Sequence, residues 1–270
     1  MSVAPVLLYH SVSDDPPPWL APYTVAPHTF RAQLDRIQDA GLSVVPLARL
    51  VTALHGGPPL PAHCAVLTFD DGYADFYWTV APILSDRGLP ATVYLTTGAV
   101  HAPGALPGGS LLPPTPMLNW RQVATLDALG LEIGGHSRTH LPLDTARPDR
   151  LRQEVAGSKR ELEDALGHPA TAFAYPHGYH SPAVRREVAR AGWTSAAAVG
   201  NALSSAADDP LRICRLMVLN TTTPRTFEDW IHLRATRTGP LRDSAATLGW
   251  RAYRRLRARL GRPTGGPPRQ

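Results

Sequence analysis

Short, continuously apolar runs alternate with amphipathic stretches almost from one end of this chain to the other, and that alternation limits the folds open to it. Eight runs read as strands: residues 6–9, 42–45, 65–69, 91–96, 131–134, 171–175, 195–199 and 213–219. Most have no polar residue at every second position, as expected of parallel strands buried on both faces. Between them Phe30, Leu34 and Ile37 recur at helical spacing and stop at Gly41, and Leu151, Val155, Leu162 and Leu166 do the same before Gly167. No glycine-rich dinucleotide fingerprint follows the first strand. The pattern therefore predicts an α/β fold, a distorted or incomplete (β/α) barrel of about seven parallel strands, rather than an open sheet.

The boundaries follow from shifts in composition. Residues 14–27 and 101–116 are rich in proline and read as long surface loops, the second as a lid. Residues 1–238 are expected to form the barrel and residues 239–270 a basic helical extension whose tail frays from Pro263. The formal charge of +5 belongs to that extension: residues 241–270 hold eight arginines against the single acid Asp243, which leaves the body slightly negative. The expectation is accordingly no nucleic-acid partner. As a helix, residues 250–262 would line Trp250, Tyr253, Leu256 and Leu260 along one side, with arginines over much of the rest. That pattern suits either peripheral contact with an anionic membrane or a helix packed on the barrel by its aromatic side. The cysteines Cys64 and Cys214 each lie in an apolar run and read as buried thiols. No run reaches the length of a membrane span, and the start of the chain lacks the pattern of a signal peptide, so the expected compartment is the cytosol.

Three motifs carry the chemistry. In Thr68-Phe69-Asp70-Asp71-Gly72-Tyr73 two carboxylates adjoin where an apolar strand stops. Like charges so close repel, and a bound cation would rationalise keeping both, although Asp-Asp-Gly by itself also serves as a solvated turn. In Gly134-Gly135-His136-Ser137-Arg138-Thr139-His140, two imidazoles four residues apart can join one carboxylate as a His₂Asp set that leaves positions open on a metal. Alone such a pair is more often two surface histidines, but the ends of barrel strands share one face, which brings these two motifs together. In Phe173-Ala174-Tyr175-Pro176-His177-Gly178-Tyr179 a strand runs into a Pro/Gly turn, whose backbone N–H groups can face an oxyanion.

Together, in this order and spacing, the motifs resemble those of the polysaccharide deacetylases, the NodB-homology domain of carbohydrate esterase family 4. The likeness extends to Pro5-Val6-Leu7-Leu8-Tyr9-His10-Ser11-Val12 and Gly88-Leu89-Pro90-Ala91-Thr92-Val93-Tyr94-Leu95 and covers roughly residues 3–220. By that resemblance Asp70 matches the general base, and Asp71, His136 and His140 match the ligands of a divalent metal, usually zinc, with cobalt, nickel or iron as alternatives. Two departures stand out. Ala174-Tyr175-Pro176-His177 replaces the family's Arg-Pro-Pro-Tyr, removing the arginine that pairs with the base, and no Leu-x-His follows the last strands. The subgroup that deacetylates poly-N-acetylglucosamine has circularly permuted motifs, with Tyr-His early and Phe-Ala-Tyr-Pro late, as here. On that likeness His10 is similar to the catalytic acid, and Arg215, or else Arg212, stands in for the lost arginine. His177 would contribute its backbone N–H to the reaction, and Tyr73, Tyr175 and Pro176 would contact substrate; Tyr94, Trp120 and Trp193 are further stacking candidates.

The implied activity is a metal-dependent N-deacetylase acting on an N-acetylated amino sugar, whether lipid-linked, nucleotide-linked or oligomeric. The rivals are a metal amidohydrolase acting on a non-sugar amide and an inactive glycan-binding pseudoenzyme. Asp70, Asp71, His136 and His140 are all present, which weighs against a degenerate site.

Overall fold

The computed structural model describes residues 3–101, 110–234, 237–240 and 245–260. Seven strands lie where the apolar runs predict them: β1 (Val6–Tyr9), β2 (Cys64–Phe69), β3 (Thr92–Leu95), β4 (Glu132–Gly135), β5 (Ala172–Ala174), β6 (Ser195–Ala197) and β7 (Leu216–Met217). They pair in parallel in the order β6-β5-β4-β3-β2-β1-β7. The sheet curls, and residues 213–217 tie its two edges. Ile213 exchanges backbone hydrogen bonds with Ala196 and Ala198 beside β6, while Leu216 and Met217 pair with Leu7 and Leu8 of β1. The expected run 213–219 is thereby split between two partners. The run expected at 42–45 does not become a barrel stave; Ser43–Val44 pairs only with Cys64 and Ala65 at the start of β2, and both its residues are partly open to solvent.

Side-chain alternation sorts the core into two compartments. Leu67, Phe69, Val93, Leu95, Ile133 and Phe173 face outward and meet the helices, whose buried rows include Phe30, Leu34 and Ile37 of α1 (Pro27–Asp39) and Leu151, Val155 and Leu162 of the long helix Pro148–Leu166. Val6, Val66, Tyr94, Ala172, Ala174, Ala197 and Ile213 form a second, inner cluster, closed from below by Leu47 and Leu50 of α2 (Leu47–Leu54). Each fully buried Leu, Val or Phe contributes about 1.5–3 kcal/mol. Cys64 and Cys214 are both buried and unbridged.

A small second sheet, which the apolar pattern does not announce, joins Val3–Ala4 to Ala202–Ser205 and Arg237–Thr238. Its strands are too short to show a period. Of the expected loop 101–116, residues 102–109 lie outside the described residues; so do 241–244 and 261–270, with the tail from Pro263. The C-terminal helix Ala245–Arg259 packs against the turn Leu143–Thr145. It does so by an unexpected side. Arg251 and Arg254 are buried, whereas Tyr253, Leu256 and Leu260 face outward, which corrects the reading of a helix seated on its aromatic side. Arg254 stacks 3.8 Å above the Tyr179 ring and pairs with buried Asp144 at 3.4 Å, and these two partners turn the helix inward on its arginines. No helix among the described residues is long and apolar enough to cross a membrane.

Where β4 meets its neighbours there is no room for side chains. A Cβ on Gly134 would fall 2.6 Å from the Tyr94 ring and 2.7 Å from the Ala172 carbonyl oxygen, and one on Gly135 2.5 Å from Trp193. Gly134→Ala should therefore cost about 1–3 kcal/mol through overpacking, read as a lower urea midpoint at unchanged slope. An unaltered midpoint would mean that the close approach of β4 is not required.

Candidate metal centre and active site

Parallel strands in a curled sheet end on one side, and the chemistry-bearing residues sit one step past those ends. His10 follows β1, Asp70 follows β2, His136 follows β4 and Tyr175 follows β5. The register continues into the site: the Asp70 N–H donates to the Tyr9 carbonyl and the His136 N–H to the Leu95 carbonyl. His10 and Asp70 are thereby set side by side on adjacent strands.

Asp70 is 3% exposed and accepts from Arg215 through both oxygens, Nη1 to Oδ1 at 2.6 Å and Nη2 to Oδ2 at 2.8 Å. Arg215 is wholly enclosed within the barrel. It also donates to the Ala198 carbonyl and the Thr68 hydroxyl, and its guanidinium lies 5.5 Å from the Tyr94 ring centroid. Burial pushes the Asp70 carboxyl up, but the Arg215 guanidinium and His136 outweigh it and hold the group below the usual carboxylate range.

Asp71 turns the other way because its backbone adopts φ 74°. Its Oδ2 accepts from the Tyr73 hydroxyl at 2.8 Å, while Oδ1 lies 3.4 Å from His136 Nε2 and 3.2 Å from His140 Nε2. That Oδ1 is buried with no hydrogen-bond partner. His136 Nδ1 donates to the Ala174 carbonyl at 2.9 Å, which leaves Nε2 as the bare nitrogen in the neutral ring. One ligand atom from each of Asp71, His136 and His140 lies within 4.8 Å of the others. A buried carboxylate oxygen without a donor, facing two imidazole nitrogens, is the donor set of a divalent cation, and these three residues fit one. Burial opposes ionisation of Asp71, yet His140 and His136 hold it well below its usual range; burial lowers His136, yet Asp70 and Asp71 raise it. Protons and a cation therefore compete for the same three groups.

The loop carrying the histidines is held from beneath by Glu154, a residue that sequence reasoning passed over. Glu154 is fully buried on the long helix and accepts from the Arg138 and Thr139 N–H groups and from the Thr139 hydroxyl. The signal was available: an acid on the face shared by Leu151 and Val155 needs partners to stay there. Ser137 adds a hydrogen bond to the His140 N–H at 3.0 Å.

His177 reaches the same centre, its ring 4.5 Å from that of His140, with φ 57° in the Pro/Gly turn. Burial, reinforced by His140, lowers its pKa to about 3. The Gly178 and Tyr179 amides close this turn onto the Tyr175 and Pro176 carbonyls. His10 has a buried Nδ1 without a partner, and burial lowers its pKa against the pull of Asp71 and Asp70. The stacking role expected of Tyr73, Tyr94, Tyr175 and Trp193 has no free ring face behind it, since all four are 0–2% exposed, and Pro176 is buried as well. Tyr73 instead grips Asp71, and the Tyr175 hydroxyl donates to the Leu211 carbonyl. Trp120 is half-buried at the start of its helix. Near the site, the proline-rich loop 14–27 offers exposed Tyr23, 5.3 Å from the His10 ring, and half-buried Trp19, 6.2 Å from Tyr73.

Comparison with known proteins places the chain in a family. The family model described as polysaccharide deacetylase matches residues 57–196, more than half of the chain. The chain belongs to the polysaccharide deacetylase family. Among curated members, YxkH of Bacillus subtilis is 24% identical over 189 residues, and the match takes in 70% of this chain and 62% of YxkH. The poly-beta-1,6-N-acetyl-D-glucosamine N-deacetylase of Escherichia coli K12 is 41% identical over 68 residues, 25% of this chain and 10% of that enzyme. The chain thus matches less than two thirds of the length of either relative. The solved deacetylase PplD of Streptococcus pyogenes, in complex with acetate, superposes with a TM-score of 0.74 at 26% identity, covering 85% of this chain and 98% of PplD.

Two substitutions test how this site is supported. Arg215→Ala leaves the Asp70 carboxylate buried without a counter-charge and should cost about 3–5 kcal/mol in urea unfolding. Glu154→Ala should weaken zinc binding roughly 10–100-fold by calorimetry, since it frees the loop that orients His140. Unchanged affinity would show that the loop holds itself.

Proposed function

We propose that this chain is a divalent-metal N-deacetylase that hydrolyses the acetamide of an N-acetylated amino sugar to acetate and a free amine. The observation that carries the reading is the convergence of Asp71, His136 and His140 beside a second carboxylate, Asp70, held by its own arginine. Held by those three residues, a divalent ion such as zinc would lower the pKa of a water and polarise the acetamide carbonyl. Asp70, kept ionised by Arg215, takes the proton of the attacking water. The His177 N–H, on the turn beside His140, donates to the oxygen that becomes negative as the carbonyl carbon turns tetrahedral. His10 delivers a proton to the leaving amine, which departs as the C–N bond breaks, and acetate remains.

The arginine partner is what suits this site to the task. Two adjacent carboxylates with no cation between them would share a proton, and one would be occupied by it instead of free to act as a base. Arg215 removes Asp70 from that competition and leaves Asp71 to the metal. For the substrate, the reading takes in an N-acetylated amino sugar that is lipid-linked, nucleotide-linked or part of an oligomer. Tyr23 beside His10 offers an open ring on which a pyranose can stack. The ion is zinc or another divalent metal such as cobalt, nickel or iron.

The test separates base from ligand although they adjoin in sequence. Asp70→Asn should retain zinc by metal analysis but lose about 10²–10⁴-fold in acetate release from N-acetylated oligosaccharides, the usual contribution of a general base. Asp71→Asn should lose both metal and turnover. Full activity in Asp70→Asn sinks the base assignment, and acetate release from simple amides but from no sugar redirects the reading to a non-sugar amidohydrolase.

A further inference from the structure

The C-terminal helix presents the wrong face to water. Leu248, Tyr253, Leu256 and Leu260 are 51, 45, 57 and 59% exposed and fall along one side of the helix, while Arg251 and Arg254 are buried against the barrel. An amphipathic helix that only covered its own domain would bury the leucines and solvate the arginines. Here both halves of that preference are reversed, and the inward half is accounted for by the stack on Tyr179 and the pair with Asp144. On the outward half, Tyr253 stacks on Trp250 within the same helix, and the three leucines stay open to solvent.

Charge indicates what covers it. The helix holds five arginines and no acid. Arg255 is exposed and Arg257 half-buried, the latter donating to the Tyr253 hydroxyl at 2.7 Å, so cations border the apolar stripe. We infer that this face docks on an anionic bilayer surface, with Leu248, Leu256 and Leu260 entering the boundary between headgroups and acyl chains and Arg255 and Arg257 meeting lipid phosphates. A second copy of the chain fits less well, because a two-fold contact across this face sets like-charged borders against each other. Leucine flanked by arginine on an interfacial helix also lets each guanidinium extend away from the apolar seat towards phosphate.

Docking in this orientation has a consequence for the site. Arg254 sits on Tyr179, and the Tyr179 ring lies 5.7 Å from that of His177, so the helix that touches lipid also backs the turn beside the metal ligands. A sugar carried on a lipid at the bilayer surface is then the substrate class within reach, a step that rests on the deacetylase reading, whereas docking itself does not.

Flotation of the full chain with vesicles tests the docking directly. The protein should float with phosphatidylcholine vesicles doped with phosphatidylglycerol, stay down with phosphatidylcholine alone, and be released by salt. The double variant Leu256→Glu and Leu260→Glu, at exposed positions, should keep its circular dichroism melt and zinc content but lose most of the vesicle-bound fraction. Failure of the wild type to float on anionic vesicles overturns the inference, as does undiminished flotation of the variant. Light scattering that reports a dimer in the wild type and a monomer in the variant assigns the face to self-association and overturns it as well. Acetate release from lipid-linked and soluble N-acetylated sugars reads the deacetylase proposal separately: flotation without any release keeps the docking and rejects the activity.

Discussion

Two carboxylates adjacent in sequence, 3% and 4% exposed, are the constraint around which this protein is built. A carboxylate removed from water without compensation costs several kcal/mol, and a second one beside it adds repulsion. The fold meets the two demands in different ways. Asp70 receives a bidentate arginine from inside the barrel, and Asp71, swung aside by its left-handed backbone, receives two imidazoles and the Tyr73 hydroxyl. Arg215 reaches Asp70 only because residues 213–217 tie one edge of the sheet to the other. Closing the sheet and countering the charge of Asp70 are thus accomplished by the same short segment.

Left-handed backbone concentrates around the same centre. Asp71, Ser137, His140 and His177 all have positive φ, a conformation that is costly for residues with a side chain. Strain of this kind persists where surrounding contacts over-determine it. Glu154 takes two N–H groups and a hydroxyl from the histidine loop, Ser137 secures His140, and the Gly178 and Tyr179 amides close the turn that carries His177. The long helix therefore does more than cover the sheet, since it bears the acid that shapes the loop of His136 and His140.

The far end of the chain joins this arrangement through one cation. Arg254, enclosed between Tyr179 and Asp144, fastens the last helix to the side of the barrel where the strands end. The stack on an aromatic face and the ion pair offset part of the solvation penalty of this buried arginine, whose Nε and Nη1 have no hydrogen-bond partner among the described residues. The same anchoring turns the leucines outward, so the inner chemistry of the helix decides what its outer face presents.

Much of this was legible in order. Continuous apolar runs determine parallel strands, because burial on both faces leaves no room for alternate polar residues, and motifs at the ends of such runs must share one side of the barrel. Asp70, Asp71, His136 and His140 could be grouped on that basis, and the family likeness added His10 and Arg215. Glu154 and the burial of Tyr73 and Tyr175 were not legible, because a residue's type does not say which neighbours surround it. Nor was the orientation of the last helix: its periodicity marks an apolar and a basic side but is symmetric as to which faces inward. The sequence by itself determined the barrel strands, the helices around Phe30 and Leu151 and the atoms able to bind a cation. Only the tertiary structure decided which buried charge meets which counter-charge, because that pairing joins residues far apart in the chain, such as Asp70 and Arg215, through contacts that exist only once the sheet has curled.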